Sequence, residues 1–302
     1  LVTIFGFFGG DTSVVSLNTA VTPVGMSRAS AETEVQAAYS LKDPVDASTS
    51  TDISRSNISH SSGVTTSDLA LAPIATALHS ASFNPHAITL GDSKVSTSPK
   101  IGYVYSCTMQ FRSGGASHDG NWISGTTWDL SKKLVVQGNI SWSAASFSNL
   151  LGSSERVISG NGLPVDATTG IFPIAQSDPA YAIDRNPNSI LKQTISYSLP
   201  AEPTVASKPS CVPMGAIGIA LNGVAIYNAL DDGGRDAVAH EVQDSCNGHP
   251  QQEGEYHYHG PSPCMPHAQE NNAQVGYAFD GFGIYSKYDA FGNEYTDADL
   301  DA

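Results

Sequence analysis

The stretch HEVQDSCNGHPQQEGEYHYHGPSPC, residues 240–264, concentrates the chemistry of this chain. It contains four of the nine histidines, and Cys246 and Cys264 bracket its central part. A disulfide between these cysteines would constrain the unfolded chain and hold His249 close to the histidines that follow it. The rest of the chain is therefore expected to be organised around this segment.

The tetrapeptide at residues 256–259 predicts a metal site. Side chains alternate between the two faces of a strand, so His257 and His259 should point to one side, while the two tyrosines point to the other and pack. Two imidazoles on one face form a clamp for a divalent metal, and imidazole without thiolate suits copper or zinc. The predicted metal ligands are His240, His249, His257 and His259, with Asp244 as an alternative to His240.

The same segment carries candidate catalytic groups. If one coordination position stays open for water or dioxygen, Glu241 or Asp244 could orient a ligand or act as general base. The run HEVQD resembles the zinc-protease signature with its second histidine replaced, provided that residues 236–245 form a helix. The His-x-His pair likewise resembles the strand ligands of α-type carbonic anhydrases. The competing interpretation is a half-buried strand whose imidazoles are hydrogen-bonded and hold no metal.

Composition favours a mainly β protein. Only 14% of residues are charged, and short apolar runs alternate with Ser, Thr, Gly, Pro and Asn, which is typical of many short strands joined by turns. We expect an antiparallel, sandwich-like domain with short helices and long disulfide-linked loops. The formal charge of −15 argues against nucleic-acid and anionic-lipid partners. No stretch is long and apolar enough to predict membrane insertion.

The four cysteines indicate an oxidising compartment. None lies in a CxxC pair, so two disulfides are favoured over a zinc ribbon, and a secreted or cell-surface protein is expected. Cys246 with Cys264 leaves Cys107 with Cys211, although four cysteines allow three pairings. The sequons at Asn57 and Asn139 would permit N-glycosylation in a secreted eukaryotic protein.

Two regions differ in pattern. Residues 1–99 form a Ser/Thr-rich N-terminal region, partly β, in which residues 1–10 are apolar and favour a strand, and residues 30–42 look helical. This region also predicts self-association, because its apolar start could add a strand to a neighbouring subunit. Residues 100–302 form the second region, with alternating strands predicted over 101–107, 133–142 and 192–199. His60, His79 and His86 are isolated and are not predicted ligands.

A short internal echo flanks the histidine segment. Residues 221–227 read LNGVAIY, and residues 279–285 read FDGFGIY. Each copy has a polar residue and a glycine followed by an apolar run that ends in Ile-Tyr. The echo predicts two neighbouring strands that frame the site.

Several of these motifs occur in an order that resembles the YHYH domain, a family named for the tetrapeptide. The matching runs are residues 246–250, 256–259 and 276–285, and the resemblance extends back to Trp122 and Trp128, so that it covers about residues 100–302. The family resemblance implies a secreted or exported protein. It implies no particular reaction. The chain departs from the pattern at Val165-Asp166, where a histidine is expected, and its sequence stops at Ala302, where further Cys, Gly and His residues are expected.

Together these features predict a secreted protein with a histidine-rich copper or zinc site that is a candidate for catalysis. The alternative is a structural or adhesive extracellular protein in which the histidine cluster only stiffens a loop. The sequence does not identify a substrate.

Overall fold

The computed structural model describes residues 3–4, 84–112, 119–296 and 299. The predicted helix at residues 30–42, His60, His79 and the Asn57 sequon lie outside the described residues. In chain order the described strands are β1 (Thr3–Ile4), β2 (Ile88–Thr89), β3 (Val95–Ser96), β4 (Val104–Tyr105), β5 (Ile123–Ser124), β6 (Thr127–Trp128), β7 (Val135–Val136), β8 (Ile140–Ser141), β9 (Phe147–Leu151), β10 (Glu155–Gly160), β11 (Thr168–Thr169), β12 (Ile195–Pro200), β13 (Ala216–Ala220), β14 (Ala225–Tyr227), β15 (Gln243–Asp244), β16 (Gly248–Pro250), β17 (Tyr256–Tyr258), β18 (Gln274–Ala278) and β19 (Gly283–Tyr285).

Helix is scarce in the described residues. They contain one α-helical turn, α1 (Ala237–His240), and a short 3-10 helix (Pro179–Ala182). The expectation of a mainly β protein with short helices is confirmed. In the described part of the chain, no helix has the length and apolar content required to cross a bilayer.

The largest sheet has the order β1-β19-β18-β13-β14-β17-β16. Most of its pairs are antiparallel, whereas β17 runs parallel to β14 and β1 runs parallel to β19. The central strand β13 reads AIGIA and is buried along most of its length, as expected for a short apolar run covered on both faces. The smaller sheets have the orders β12-β10-β9, β11-β8, β15-β7, β2-β6-β5 and β3-β4.

The sequence echo belongs to a larger repeated unit in the main sheet. We call residues 216–236 the first module and residues 274–294 the second module. Each begins with a hairpin, β13–β14 or β18–β19, and the two hairpins have a register shift at the same position, Ala216/Gly218 and Gln274/Gly276. Elements at equivalent positions in the two modules are separated by the same number of residues throughout.

The hairpin turns of the two modules are alike in detail. Gly223 has φ 83° and Gly281 has φ 93°, a backbone region in which glycine carries no Cβ penalty. Before each glycine a polar side chain accepts a backbone hydrogen bond two residues on. Asn222 Oδ1 accepts from Val224 N at 3.3 Å, and Asp280 Oδ1 accepts from Phe282 N at 3.2 Å.

Each hairpin leads into a loop that an aspartate holds. Asp231 Oδ1 accepts hydrogen bonds from Gly233 N and Arg235 N, both at 2.8 Å. Asp289 Oδ1 accepts the two equivalent bonds in the second module, also at 2.8 Å. An isolated antiparallel bridge closes each loop, between residues 230 and 236 in one and between 288 and 294 in the other. The repeat thus continues well beyond the echo in sequence.

A local two-fold axis relates the modules. In the β13–β18 pair, Gly218 faces Ala278, Ile219 faces Tyr277 and Ala220 faces Gly276, so that equivalent residues exchange places across the pair. The strands β14 and β19 therefore lie on opposite sides of this central pair. The prediction that the echo marks neighbouring strands framing the site is wrong, because β13 and β18 separate them and only β14 borders β17.

Both predicted disulfides are present. Cys107 pairs with Cys211, and Cys246 pairs with Cys264 across a sequence separation of 18 residues. The strands predicted at residues 101–107 and 133–142 are shorter than expected, being β4, β7 and β8. The strand predicted at residues 192–199 is present as β12, which begins at Ile195 and ends at Pro200. The main core is closed by Trp122, Tyr256 and Tyr258, which are all at most 1% exposed.

Candidate metal site

Three histidines converge on one side of the main sheet. His249 on β16 lies directly opposite His257 on β17, and His259 follows two residues later on the same face. Each can offer one ring nitrogen so that the three nitrogens lie within 4.8 Å of one another. All three side chains are buried. The predicted convergence of His249, His257 and His259 is thus present in the structure.

The outer nitrogens of two of these rings are fixed by backbone carbonyls. His257 Nδ1 lies 3.1 Å from the Glu255 carbonyl oxygen, and His259 Nδ1 lies 2.7 Å from that of Asn228. A carbonyl oxygen only accepts, so each Nδ1 carries the proton. The two Nε2 atoms then face each other across 3.1 Å as bare acceptors when both rings are neutral. Such a pair needs a cation or a shared proton between its members.

Glu241 adds a carboxylate to the cluster. Its Oε2 lies 3.1 Å from His249 Nε2 and 3.2 Å from His259 Nε2. Neither Glu241 Oε2 nor either nitrogen of the His249 ring makes a hydrogen bond with the described residues. Leaving a buried polar group unsatisfied costs about 1–3 kcal/mol. A bound cation would satisfy Glu241 Oε2 and one of the two His249 nitrogens.

The electrostatics separate the three histidines. Burial, reinforced by the neighbouring His249 and His259, holds the pKa of His257 well below its usual range. Burial also lowers the pKa of His259, although Glu241 acts against it. Burial would raise the pKa of Glu241, but the two adjacent histidines outweigh it and hold that pKa at about 2. Burial would lower the pKa of His249, but the Glu241 carboxylate outweighs burial and raises that pKa. Because a metal ligand must be deprotonated, a divalent cation at this site would displace the His249 proton.

Glu241 is positioned by the end of α1. The helix stops at His240, and the Glu241 N–H still donates to the Ala237 carbonyl at 3.0 Å. Lys133 links the residues on either side of Glu241, because its Nζ donates to Gln243 Oε1 at 2.9 Å and also to the Val238 carbonyl oxygen. These contacts hold the backbone on both sides of Glu241, whose carboxylate lies against His249 and His259.

A cavity of about 900 Å³ opens onto the cluster. Besides Glu241 and the three histidines, its lining includes Tyr227, Leu230 and Met214 as apolar surface, and Arg185 and Asp232 as exposed charged groups. This volume lies within the range of small-molecule sites. The site is therefore bordered by space for a ligand rather than closed on every side.

Tyr227 was not identified from the sequence. Its ring stacks on His257, with centroids 3.8 Å apart and planes at 21°, and meets His259 edge-on at 5.7 Å. Its hydroxyl donates to Glu255 Oε2 at 2.5 Å. The echo in the sequence contained Tyr227, but nothing in the sequence indicated that β14 pairs with β17 in parallel.

Two predicted site residues lie outside the histidine cluster. His240 places Nε2 2.9 Å from Asp92 Oδ2 and Nδ1 3.0 Å from Asp119 Oδ1, so that carboxylates take both nitrogens. Asp244 accepts from Tyr256 Oη at 2.8 Å and from backbone N–H groups, including that of Gly170. It therefore braces the turn before β16 on the tyrosine side of β17. The helix that would have put His240 and Asp244 on one face ends at residue 240.

The other described histidines, which were not predicted ligands, lie outside the cluster. His86 is exposed and contacts Asp129, and His267 contacts Glu270. Asp166, where a family histidine was expected, adopts a positive φ of 55° and is not part of the histidine group. Tyr258 accepts a hydrogen bond from Asn222 Nδ2 at 3.1 Å and packs in the core, as expected.

Comparison with known proteins finds a family match for the C-terminal part of the chain. A family model described as "YHYH protein" matches residues 196–300, which include both modules and the three histidines. No curated protein and no solved structure matches the chain. Residues 196–300 of this chain therefore constitute a YHYH domain.

Proposed function

We propose that the chain binds one divalent copper or zinc ion through the Nε2 atoms of His257 and His259 and a ring nitrogen of His249. The main support for this proposal is that the Nε2 atoms of His257 and His259 lie 3.1 Å apart, while the Nδ1 atom of each ring faces a backbone carbonyl oxygen. Burial opposes charging of either ring, so a shared proton is the less favourable way to join them. Imidazole ligands suit zinc and copper.

We further propose that a coordination position remains available on the side of the cavity. Structural zinc sites are fully coordinated by protein, whereas catalytic sites keep a position for water or substrate. The cavity beside the histidines supports the second type. Glu241, whose Oε2 lies 3.1 Å from His249 Nε2, would orient a water in that position by accepting a hydrogen bond from it. Asp244 has its oxygens occupied and is assigned to support of the fold.

Metal content tests the site directly. Protein produced without a histidine tag should contain about one equivalent of copper or zinc by elemental analysis. The double variant His257→Ala, His259→Ala should lose it, whereas the control His86→Ala, His267→Ala should retain it, because those rings are exposed and do not belong to the histidine group. One equivalent of metal in the first double variant would refute the ligand assignment. A metal-free, stably folded wild-type protein would favour the structural or adhesive alternative.

Exogenous ligands test the open position. Cobalt replaces zinc with a visible spectrum, and azide should change that spectrum if a position faces the cavity. A spectrum that azide leaves unchanged at saturation would indicate a closed, structural site. Glu241→Gln should keep the metal and alter the pH at which the bound water ionises.

Two disulfides fit an extracellular protein, and we propose secretion or a cell-surface location on that basis. N-glycosylation at Asn139, whose side chain is on an exposed residue, remains a prediction. So do the boundary between residues 99 and 100 and self-association through the N-terminal region.

A further inference from the structure

Tyr227 occupies a place that the sheet topology creates. It is the last residue of β14, and the parallel register pairs Ala225 with His257 and Ile226 with Tyr258. This arrangement carries the tyrosine ring over the imidazole of His257, at 3.8 Å between centroids. Tyr227 also lines the cavity. It therefore lies against a proposed ligand without being in the histidine group itself.

Glu255 closes the connection between the two rings. Its carboxylate accepts from the Tyr227 hydroxyl at 2.5 Å, and its backbone carbonyl lies 3.1 Å from His257 Nδ1. One residue at the start of β17 thus anchors both the tyrosine and the histidine. The ring torsion of a histidine is broad in the absence of contacts. Here one face of the imidazole is covered and its Nδ1 is held.

The second module shows that this contact is not a by-product of the hairpin. Tyr285 stands at the position equivalent to Tyr227, at the end of β19. It lines a different, small apolar cavity together with Met265 and Val275. Among the described ring contacts, Tyr285 is stacked on no histidine. The same backbone therefore provides a matched control.

We propose, resting on the metal site proposed above, that Tyr227 is a positioning residue that orients His257 for coordination, with Glu255 as its anchor. Stacking holds the plane of the imidazole, and the Glu255 carboxylate holds the tyrosine. The Nε2 lone pair of His257 is then directed at the metal before the metal arrives. Groups that orient metal ligands typically change metal affinity 10- to 100-fold when removed, about the effect expected here.

The test compares substitutions at the two equivalent tyrosines. Zinc affinity, measured by competition with a chelator, should fall about 10- to 100-fold in Tyr227→Leu, which loses the stacked ring. Tyr227→Phe keeps the stacked ring but loses the hydrogen bond to Glu255, so its zinc affinity should lie closer to that of the wild type than to that of Tyr227→Leu. Tyr285→Leu should bind zinc as the wild type does. The copper(II) electron paramagnetic resonance spectrum should change in Tyr227→Leu and not in Tyr285→Leu.

Glu255→Ala provides a second route to the same result. It leaves the tyrosine in place but removes its anchor, and its effect should resemble that of Tyr227→Phe in size. If the wild type binds metal and Tyr227→Leu matches it in both affinity and spectrum, the positioning role is overturned while the metal site stands. If Tyr285→Leu weakens zinc as much as Tyr227→Leu does, general loss of stability explains the effect and the positioning role is also overturned. Wild-type protein that binds no zinc or copper overturns both proposals.

Discussion

In the first module the outer strand β14 lies beside β17, and in the second module the outer strand β19 lies beside β1. Turn glycines, capping side chains and aspartate loops otherwise repeat from one module to the other. The histidine cluster borders only the first. The difference indicates that the repeated hairpin is a common structural unit. The strand that pairs with its outer edge, β17 in the first module and β1 in the second, determines whether a polar site forms beside it.

The largest effect is expected from the buried isoleucines at equivalent positions, Ile226 and Ile284, each 1% exposed. Truncation to alanine should cost about 2–5 kcal/mol of unfolding free energy in either case, because a buried cavity is left. Ile226 pairs with Tyr258 beside the histidines, so only Ile226→Ala should also weaken metal binding. Denaturant unfolding and zinc titration of both variants check this. Equal zinc affinities of the two variants would show that packing within the first module does not affect the metal site.

Smaller costs are expected at the turn glycines, about 1–3 kcal/mol, since alanine is strained at positive φ. A Cβ at Gly281 would lie 2.7 Å from the Pro200 carbonyl oxygen, whereas one at Gly223 would meet the Phe147 side chain at 3.1 Å. Backbone yields less readily than a side chain. Gly281→Ala should therefore lower the midpoint of thermal unfolding more than Gly223→Ala. The reverse order would contradict the close-contact argument.

The smallest effects are expected at the loop aspartates. Asp231→Ala removes two backbone hydrogen bonds and the contact with Arg235 Nε at 3.1 Å, in a buried setting, which should cost about 1–2 kcal/mol. Asp289 is in an exposed loop, so Asp289→Ala should change stability less. Thermal unfolding of the two variants compares them. A larger loss at Asp289 would show that the loops are not equivalent in energy.

The Asp289 loop also gives a pH signature. Hydrogen bonds, first of all from the Asn293 side chain, hold the pKa of Asp289 below its usual range. Because the folded-state pKa is the lower one, the associated stability is present above the unfolded-state pKa and is lost as pH falls through the folded-state pKa. Subtracting the Asp289→Ala unfolding profile from that of the wild type should show a small loss confined to acid pH. A difference that is constant with pH would exclude this contribution.

Local pattern was enough to predict part of the site. Strand alternation put His257 and His259 on one face, and the disulfide brought His249 back to them. The sequence could not indicate that His240 finds Asp92 and Asp119, because these carboxylates come from segments more than a hundred residues away. Parallel pairing of β14 with β17 is equally non-local, and Tyr227 escaped prediction for that reason.

The mixed outcome for Asp244 has a different cause. Asp244 was a predicted site residue only because it is close to the histidines in sequence. However, β15 pairs with β7 and directs the carboxylate to Tyr256, on the opposite face of β17. A one-residue change of register exchanges the two faces of a strand, so a short strand in a loop cannot be assigned to a face from spacing.

The Cys246–Cys264 disulfide encloses all three proposed ligands in one covalent ring, while Glu241 stays outside it. In the chain-entropy model a ring of this length restricts the unfolded chain by about 3 kcal/mol. A metal held by residues 249, 257 and 259 would restrict the same stretch, so the disulfide and the metal would both lower the conformational entropy of the same part of the unfolded chain. Their contributions to unfolding should then be less than additive in a thermodynamic cycle of disulfide removal and chelation. Conversely, because the oxidised ring shortens the search of the three imidazoles for one another, oxidation before metallation would be the faster order of maturation.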